Sequence, residues 1–258
     1  MSKNILDIIL EQKRKEVKII KDTFLSKDFE RTEEFQLKTK SFKQKFLEIP
    51  FGIIAEFKRK SPSAGNINTD FNPIDIAKIY QNAGAIGMSI LTDFEFFGGS
   101  NQDIIDSRKV VDFPILRKEF IVDEIQIIQA KSIGADAILL IAEALTKKEI
   151  SRFTDFAHSF GLEVIMEFHE QSQWHKYDEN VDIIGINNRN LKLQITDLHT
   201  SFEWMNILPK NKICISESGI KTINEMKELQ NIGYKGALIG ESILKNISGE
   251  NVLHFNKK

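Results

Sequence analysis

Lysines and glutamates recur at one kind of place in this sequence: the close of a short apolar run. Glu56 and Lys58 end "GIIAEFK", Lys118 sits in "FPILRKEF", Glu167 closes "LEVIMEF" and Glu217 lies in "KICISES". Asn187 and Arg189 end another such run, "DIIGINNRN". Side chains alternate along an extended chain, so Glu56 and Lys58 point the same way while Arg59 leaves that face. A single Lys or Glu at a loop edge is ordinary surface. Two lysines and three glutamates converging from four runs on one mouth are different. Opposite charges held close in a shielded pocket shift each other's pKa and support acid–base chemistry.

A second set of residues suits an anion. "SESGI" (216–220) and "LIGES" (238–242) place glycines just after apolar runs. Glycine lets backbone N–H groups approach a phosphate, and a following helix N-terminus favours the negative charge. Ser61 or Ser63, in the loop "KRKSPSAG", adds a hydroxyl. In the loop "LTDFEFFGGS", Phe94, Phe96 and Phe97 either hold an aromatic ligand or pack the loop itself. The five histidines offer no metal pair: in "EFHEQSQWH" the spacing is six, which does not stack two ligands on one helix face. Cys214, the one cysteine, lies within an apolar run and reads as a core residue.

The elements that must position these residues are legible from the pattern. Eight apolar runs, at 52–57, 85–92, 113–120, 135–142, 162–168, 182–188, 212–218 and 236–242, are near-continuous rather than alternating. That is the pattern of parallel strands buried on both faces. Helical segments separate them. "PIDIAKIYQNAG" puts Ile76, Ile79 and Tyr80 on one face, "DEIQIIQAKSIG" opens with acids and ends in glycine, and "TKKEISRFTDFAHSFG" begins with a capping box. Eight strand–helix units predict a (β/α)8, or TIM, barrel, with a doubly wound sheet as the alternative. Barrel chemistry sits at the C-terminal strand ends, where the charges fall. The first ~50 residues lie outside the repeat. There Ile5, Ile8, Ile9 and Leu10 predict an amphipathic helix, and "FQLKTKSFKQKFLEI" has aromatic spacing without a clear period. This N-terminal helical extension covers the barrel bottom or helps form the mouth. No linker-like stretch divides residues 1–258, so one barrel domain is expected.

Composition narrows the function. A net charge of -2 gives no general basis for binding nucleic acid or an acidic membrane surface. No apolar stretch nears the ~20 residues of a membrane span, no secretory signal is visible, and no disulfide framework exists, so a cytoplasmic protein is expected.

Taken in order, "AEFKRKSPSAG", "LTDFEFFGGS", "PILRKEFIVDEIQI", "GADAILLIA", "IGINNRNL", "SESGI" and "LIGES" resemble the indole-3-glycerol phosphate synthase family from the N-terminal helix to about residue 245. The resemblance implies closure of an indole ring from 1-(2-carboxyphenylamino)-1-deoxyribulose 5-phosphate, with loss of carbon dioxide and water, and no cofactor or metal. It implies a small phosphorylated aromatic substrate as the only partner, and a monomer. It implies that Lys118 is the general acid on the ketone oxygen, a lysine whose pKa is lowered among cations. Glu167 is implied as base or cation stabiliser, Lys58 as ligand of the substrate carboxylate and Glu56 as its proton-accepting partner. Asn187, Arg189, Glu217 and Ser218 would orient the substrate, and Ser61 with the backbone at Gly219, Gly240 and Glu241 would cradle the phosphate. After Glu167 the sequence departs from the family pattern, reading "FHEQSQW". The same-fold rivals, phosphoribosylanthranilate isomerase and the tryptophan synthase α subunit, lack the lysine pair with the "KRKSPS" loop. A barrel that binds the phosphate without chemistry is a further alternative, to which the paired acids and bases are superfluous.

Overall fold

The computed structural model describes residues 4–62, 65–67, 71–190 and 195–246; Ser63, His254 and the "NVLHFNKK" tail lie outside them. Eight parallel strands close into a barrel in chain order: β1 (Gly52–Phe57), β2 (Gly87–Leu91), β3 (Ile115–Lys118), β4 (Ala137–Ile141), β5 (Glu163–Phe168), β6 (Ile183–Asn187), β7 (Ile213–Glu217) and β8 (Gly236–Ile239), with β8 pairing back to β1. Each lies inside its predicted run. Apart from four-residue helices at Ser26–Phe29 and Phe94–Phe97, the helices are α1 (Ile5–Thr23) and α2 (Phe42–Glu48) before the barrel. Within it follow α3 (Pro73–Asn82), α4 (Asn101–Arg108), α5 (Glu124–Ser132), α6 (Lys147–Ser159), α7 (His199–Trp204), α8 (Ile223–Ile232) and α9 (Glu241–Asn246). After β5 a 3₁₀ segment (Gln171–Lys176) takes the helix's place. No described helix is long and apolar enough to cross a membrane.

Alternation along the strands sorts the core into two layers. Ile54, Leu116, Leu139, Ile165, Ile215 and Leu238 fill the barrel interior, while Ile53, Ala55, Met88, Ile138, Val164 and Ile184 pack under the helices. The interior residues fix where the chemistry points. Glu56, Lys118, Glu167 and Glu217 each lie two positions beyond an interior residue, so they rise from the same column toward the mouth.

The extension reaches both ends of the barrel. Ser41 caps α2 by accepting from the Gln44 N–H at 2.9 Å, and Phe42 and Phe46 are fully buried in the barrel floor. The floor glycines leave room for them. A Cβ on Gly87 would stand 2.3 Å from the Phe42 ring, and one on Gly236 2.4 Å from the Phe46 ring. In α1 the buried face is Leu6, Ile9, Leu10, Lys13 and Val17. Ile8, expected on that face, is 43% exposed, because the stripe running through Leu6 and Lys13, not the one through Ile8, meets the barrel. In α3, likewise, Ala77 joins Ile76 and Tyr80 in the core and Ile79 faces outward.

Candidate active site

The barrel mouth holds a cavity of about 670 Å³, within the usual size of small-molecule sites. At its base the Lys118 Nζ lies 2.7 Å from Glu217 Oε2, 3.2 Å from Glu167 Oε2 and 3.5 Å from Glu56 Oε2. Four strands thus bring four side chains to one point. Lys58 joins them from just beyond β1, 2.5 Å from Glu56 Oε1. Arg59 leaves this face and forks onto Asp103 at 2.6 and 2.8 Å. Glycines clear the space: a Cβ at Gly185 would stand 2.1 Å from Glu217 Oε1, and one at Gly240 2.7 Å from Glu56 Oε1.

Burial and charge set the protonation of the group. For Lys118, burial opposes the charge, but Glu217, Glu167 and Glu56 outweigh it and hold the ammonium well above the ordinary lysine value. The expectation of a lysine acidified by cations is therefore corrected, because its neighbours are carboxylates. Burial also opposes ionisation of Glu56, yet Lys58 and Lys118 keep its carboxyl below the usual value. Glu167 is held low in the same way by Lys118 and His169, whose Nε2 stands 3.1 Å from Glu167 Oε1. Glu217 goes the other way: burial pushes it up to about 8, with Lys118 pulling down and Glu167 pushing further up. Near neutral pH, Glu217 therefore carries a proton while Glu167 and Glu56 face the two lysines as anions.

The cavity has two unlike ends around this charged base. One is apolar, walled by Ile5, Leu6 and Ile9 of α1 with Leu91, Phe97 and Phe120. The other is built by the β7 and β8 turns, with Ser61, Ser218, Gly219, Gly240 and Ser242. Asn187 and Arg189 line the wall, and Glu217 lies fully buried beneath it. Glu241 begins α9, so its backbone follows Gly240 at the helix start. Of the loop phenylalanines only Phe97 lines the cavity; Phe94 is 75% exposed.

Some contributors escape sequence reasoning. Ser218 holds φ 69° and is followed by Gly219 at φ 78°, and a left-handed non-glycine residue is costly enough to need support. The support is Asn188, whose Nδ2 donates to the Ser218 carbonyl and to Ser216 Oγ, both at 2.9 Å. Thr196, Leu198 and Lys221 also line the cavity. Their positions relative to the strand ends carried no signal beyond loop polarity.

Residues 6–254 match the family model described as indole-3-glycerol phosphate synthase. The chain is 42% identical over 256 residues to an indole-3-glycerol phosphate synthase of Bacteroides thetaiotaomicron, covering 99% of this chain and 98% of that protein. It is 41% identical over 243 residues to one of Alkaliphilus metalliredigens, covering 93% of each. Among solved structures, a mutant tryptophan synthase alpha-subunit from the hyperthermophile Pyrococcus furiosus superposes with a TM-score of 0.58 at 13% identity, covering 78% of this chain and 91% of that one. At that identity the likeness speaks to the barrel alone.

Proposed function

This chain belongs to the indole-3-glycerol phosphate synthase family, and from that premise we propose how its mouth closes an indole ring. The substrate is 1-(2-carboxyphenylamino)-1-deoxyribulose 5-phosphate, and the enzyme is a carboxy-lyase. The observation that carries the assignment of roles is the Lys118 ammonium among three glutamate side chains at the base of a cavity with one apolar and one glycine-rich end. The aromatic ring suits the apolar end. The phosphate suits the β7 and β8 turns, with Ser61 and the backbone of Gly219, Gly240 and Glu241. Asn187, Arg189 and Ser218 orient the chain between them.

In the first step the ring carbon bearing the carboxylate attacks the ketone carbon. The ketone oxygen takes the proton of Lys118 as the new C–C bond forms. A raised pKa keeps that proton in place, and the developing alkoxide is a stronger base still, so the transfer runs downhill. Ring closure puts positive charge on the ring and its nitrogen, and the Glu167 carboxylate stabilises it. Lys58 holds the substrate carboxylate until it leaves as carbon dioxide, its bonding electrons restoring the aromatic ring. The new hydroxyl then departs as water with a proton from Lys58, which Glu56 orients, and Glu167 takes the proton from the adjacent carbon. Glu217 steadies Lys118 from below.

We read the working unit as a monomer. With a single buried cysteine the fold needs no oxidising compartment, which suits the cytoplasm. The test is indole fluorescence after mixing purified protein and substrate in EDTA. We expect a rise that disappears in Lys118→Ala; substrate that binds without any rise would overturn the reading.

A further inference from the structure

Lys13 is a polar residue in the buried stripe of α1, one helical turn beyond Ile9, and only 3% exposed. It is too deep to be a surface charge and too far along α1 to line the mouth cavity. Its ammonium lies 2.6 Å from Asp93 Oδ2, 2.7 Å from Glu16 Oε2 and 3.3 Å from Glu119 Oε1. Each barrel partner governs part of the apolar wall. Asp93 caps the Phe94–Phe97 turn, its Oδ1 accepting from the Phe96 and Phe97 N–H groups at 2.6 and 3.2 Å. Glu119 follows Lys118 directly, accepts from Thr92 Oγ1 at 2.7 Å and takes the Phe120 N–H at 2.9 Å. Phe97 and Phe120 face each other across 6.0 Å between ring centroids. One buried cation thus ties together three separate pieces of the wall: α1 with its Leu6 and Ile9, the β2 loop with Phe97, and the β3 end with Phe120.

We propose that Lys13 is a positioning residue for substrate selectivity, an ionic clamp that holds the three parts of the apolar wall at the spacing an aromatic ring requires. The proposal rests on the ring-closing reading above. Lys13 touches neither substrate nor reacting atoms, so it acts on how well the ring half is held. The phosphate end, built from β7 and β8, is independent of it. A buried pair broken on one side leaves an uncompensated charge, so loss of the ammonium should open the wall.

The experiment compares wild type, Lys13→Met and Asp93→Asn. The asparagine keeps an oxygen to cap the Phe94–Phe97 turn while removing the charge that faces Lys13. In Lys13→Met we expect substrate KM to rise about tenfold, which is about 1.4 kcal/mol, with kcat within about twofold. The inhibition constant of inorganic phosphate should stay unchanged. Asp93→Asn should show the same split at smaller size, which serves if Lys13→Met does not fold. Unchanged KM in both variants, or a parallel change in kcat, KM and phosphate inhibition, would overturn the clamp. Amide hydrogen exchange reads it without turnover: residues 5–17 should exchange faster in the variants, with the barrel strands unaffected. Equal exchange in α1 would overturn it even if wild type showed no ring closure, and that last result would overturn the activity alone.

Discussion

The two ends of the barrel each carry three carboxylates, all buried at the mouth but, apart from Asp136, half-buried at the floor, and they are held in opposite ways. At the floor, Asp136 accepts from the Lys40 and Ile115 N–H groups at 2.7 Å each. Glu163 accepts from Ser41 Oγ at 2.5 Å and from the Phe42 N–H at 2.8 Å. Asp182 accepts from the Val164 N–H at 2.8 Å and faces Lys43 and His158. Each floor carboxylate grips backbone. At the mouth, among the described residues, Glu56, Glu167 and Glu217 meet only the side chains of Lys58, Lys118 and His169 and one another. Backbone donors are fixed by the fold, whereas a lysine ammonium on a flexible stem can turn to a ligand. The same residue types therefore fasten the extension at one end and stay available for proton transfer at the other.

The sharpest break in this comparison is Lys118→Met. We expect kcat to fall about 10³-fold in protein that still folds, with the thermal midpoint lowered by the unpaired charge left on Glu56 and Glu167, measured by indole fluorescence and calorimetry. A floor substitution should invert the pattern. Gly236→Ala would place a Cβ 2.2 Å from the Gly52 carbonyl, an atom that cannot swing aside. It should cost roughly 3 kcal/mol in urea unfolding, with the folded fraction still active. At the mouth, Gly185→Ala meets only the end of the Glu217 side chain, so stability should hold while kcat falls about 10²-fold through displaced geometry. Glu163→Ala should cost about 2 kcal/mol by orphaning floor N–H groups, with kcat within about twofold. A floor substitution that lost activity at full stability would dissolve the distinction.

The smallest effect concerns pH. Glu217 is raised from an ordinary carboxyl value near 4.5 to about 8. Between those values the folded state binds a proton that the unfolded state has lost, so its contribution to stability declines as pH rises through that window. Glu56 and Glu167, held low, behave oppositely: their contribution is present above the ordinary value and is lost as pH falls below it. Glu217→Gln should therefore gain thermal stability relative to wild type at pH 9 compared with pH 5. Equal differences at the two pH values would show that Glu217 does not hold the proton.

The strands were legible as near-continuous apolar runs, and the direction of the mouth charges from the alternation of side chains along each strand. "ILRKEF" alone puts Leu116 and Lys118 on one face, and the structure keeps that parity. Features set by distant partners were not legible. Apolar residues at positions 5, 6, 8, 9 and 10 allow two helical stripes, and partners far along the chain, Asp93 and Glu119 for Lys13 and Ile125 and Ile128 for Val17, select the buried one. The left-handed Ser218 depends on Asn188 across β6 and β7. The environment of Lys118 reversed expectation because a lysine's pKa depends on which charges surround it in space, and three strands supply carboxylates there.

The plugged floor has a consequence for how the chain is made. Phe42 and Phe46 leave the ribosome before any barrel strand exists, and the pockets that bury them are completed by Gly52, Gly87 and Gly236. The last of these lies on β8, which is synthesised after the other seven barrel strands. Until β8 emerges the pocket of Phe46 is incomplete, and the barrel cannot be sealed before that strand arrives.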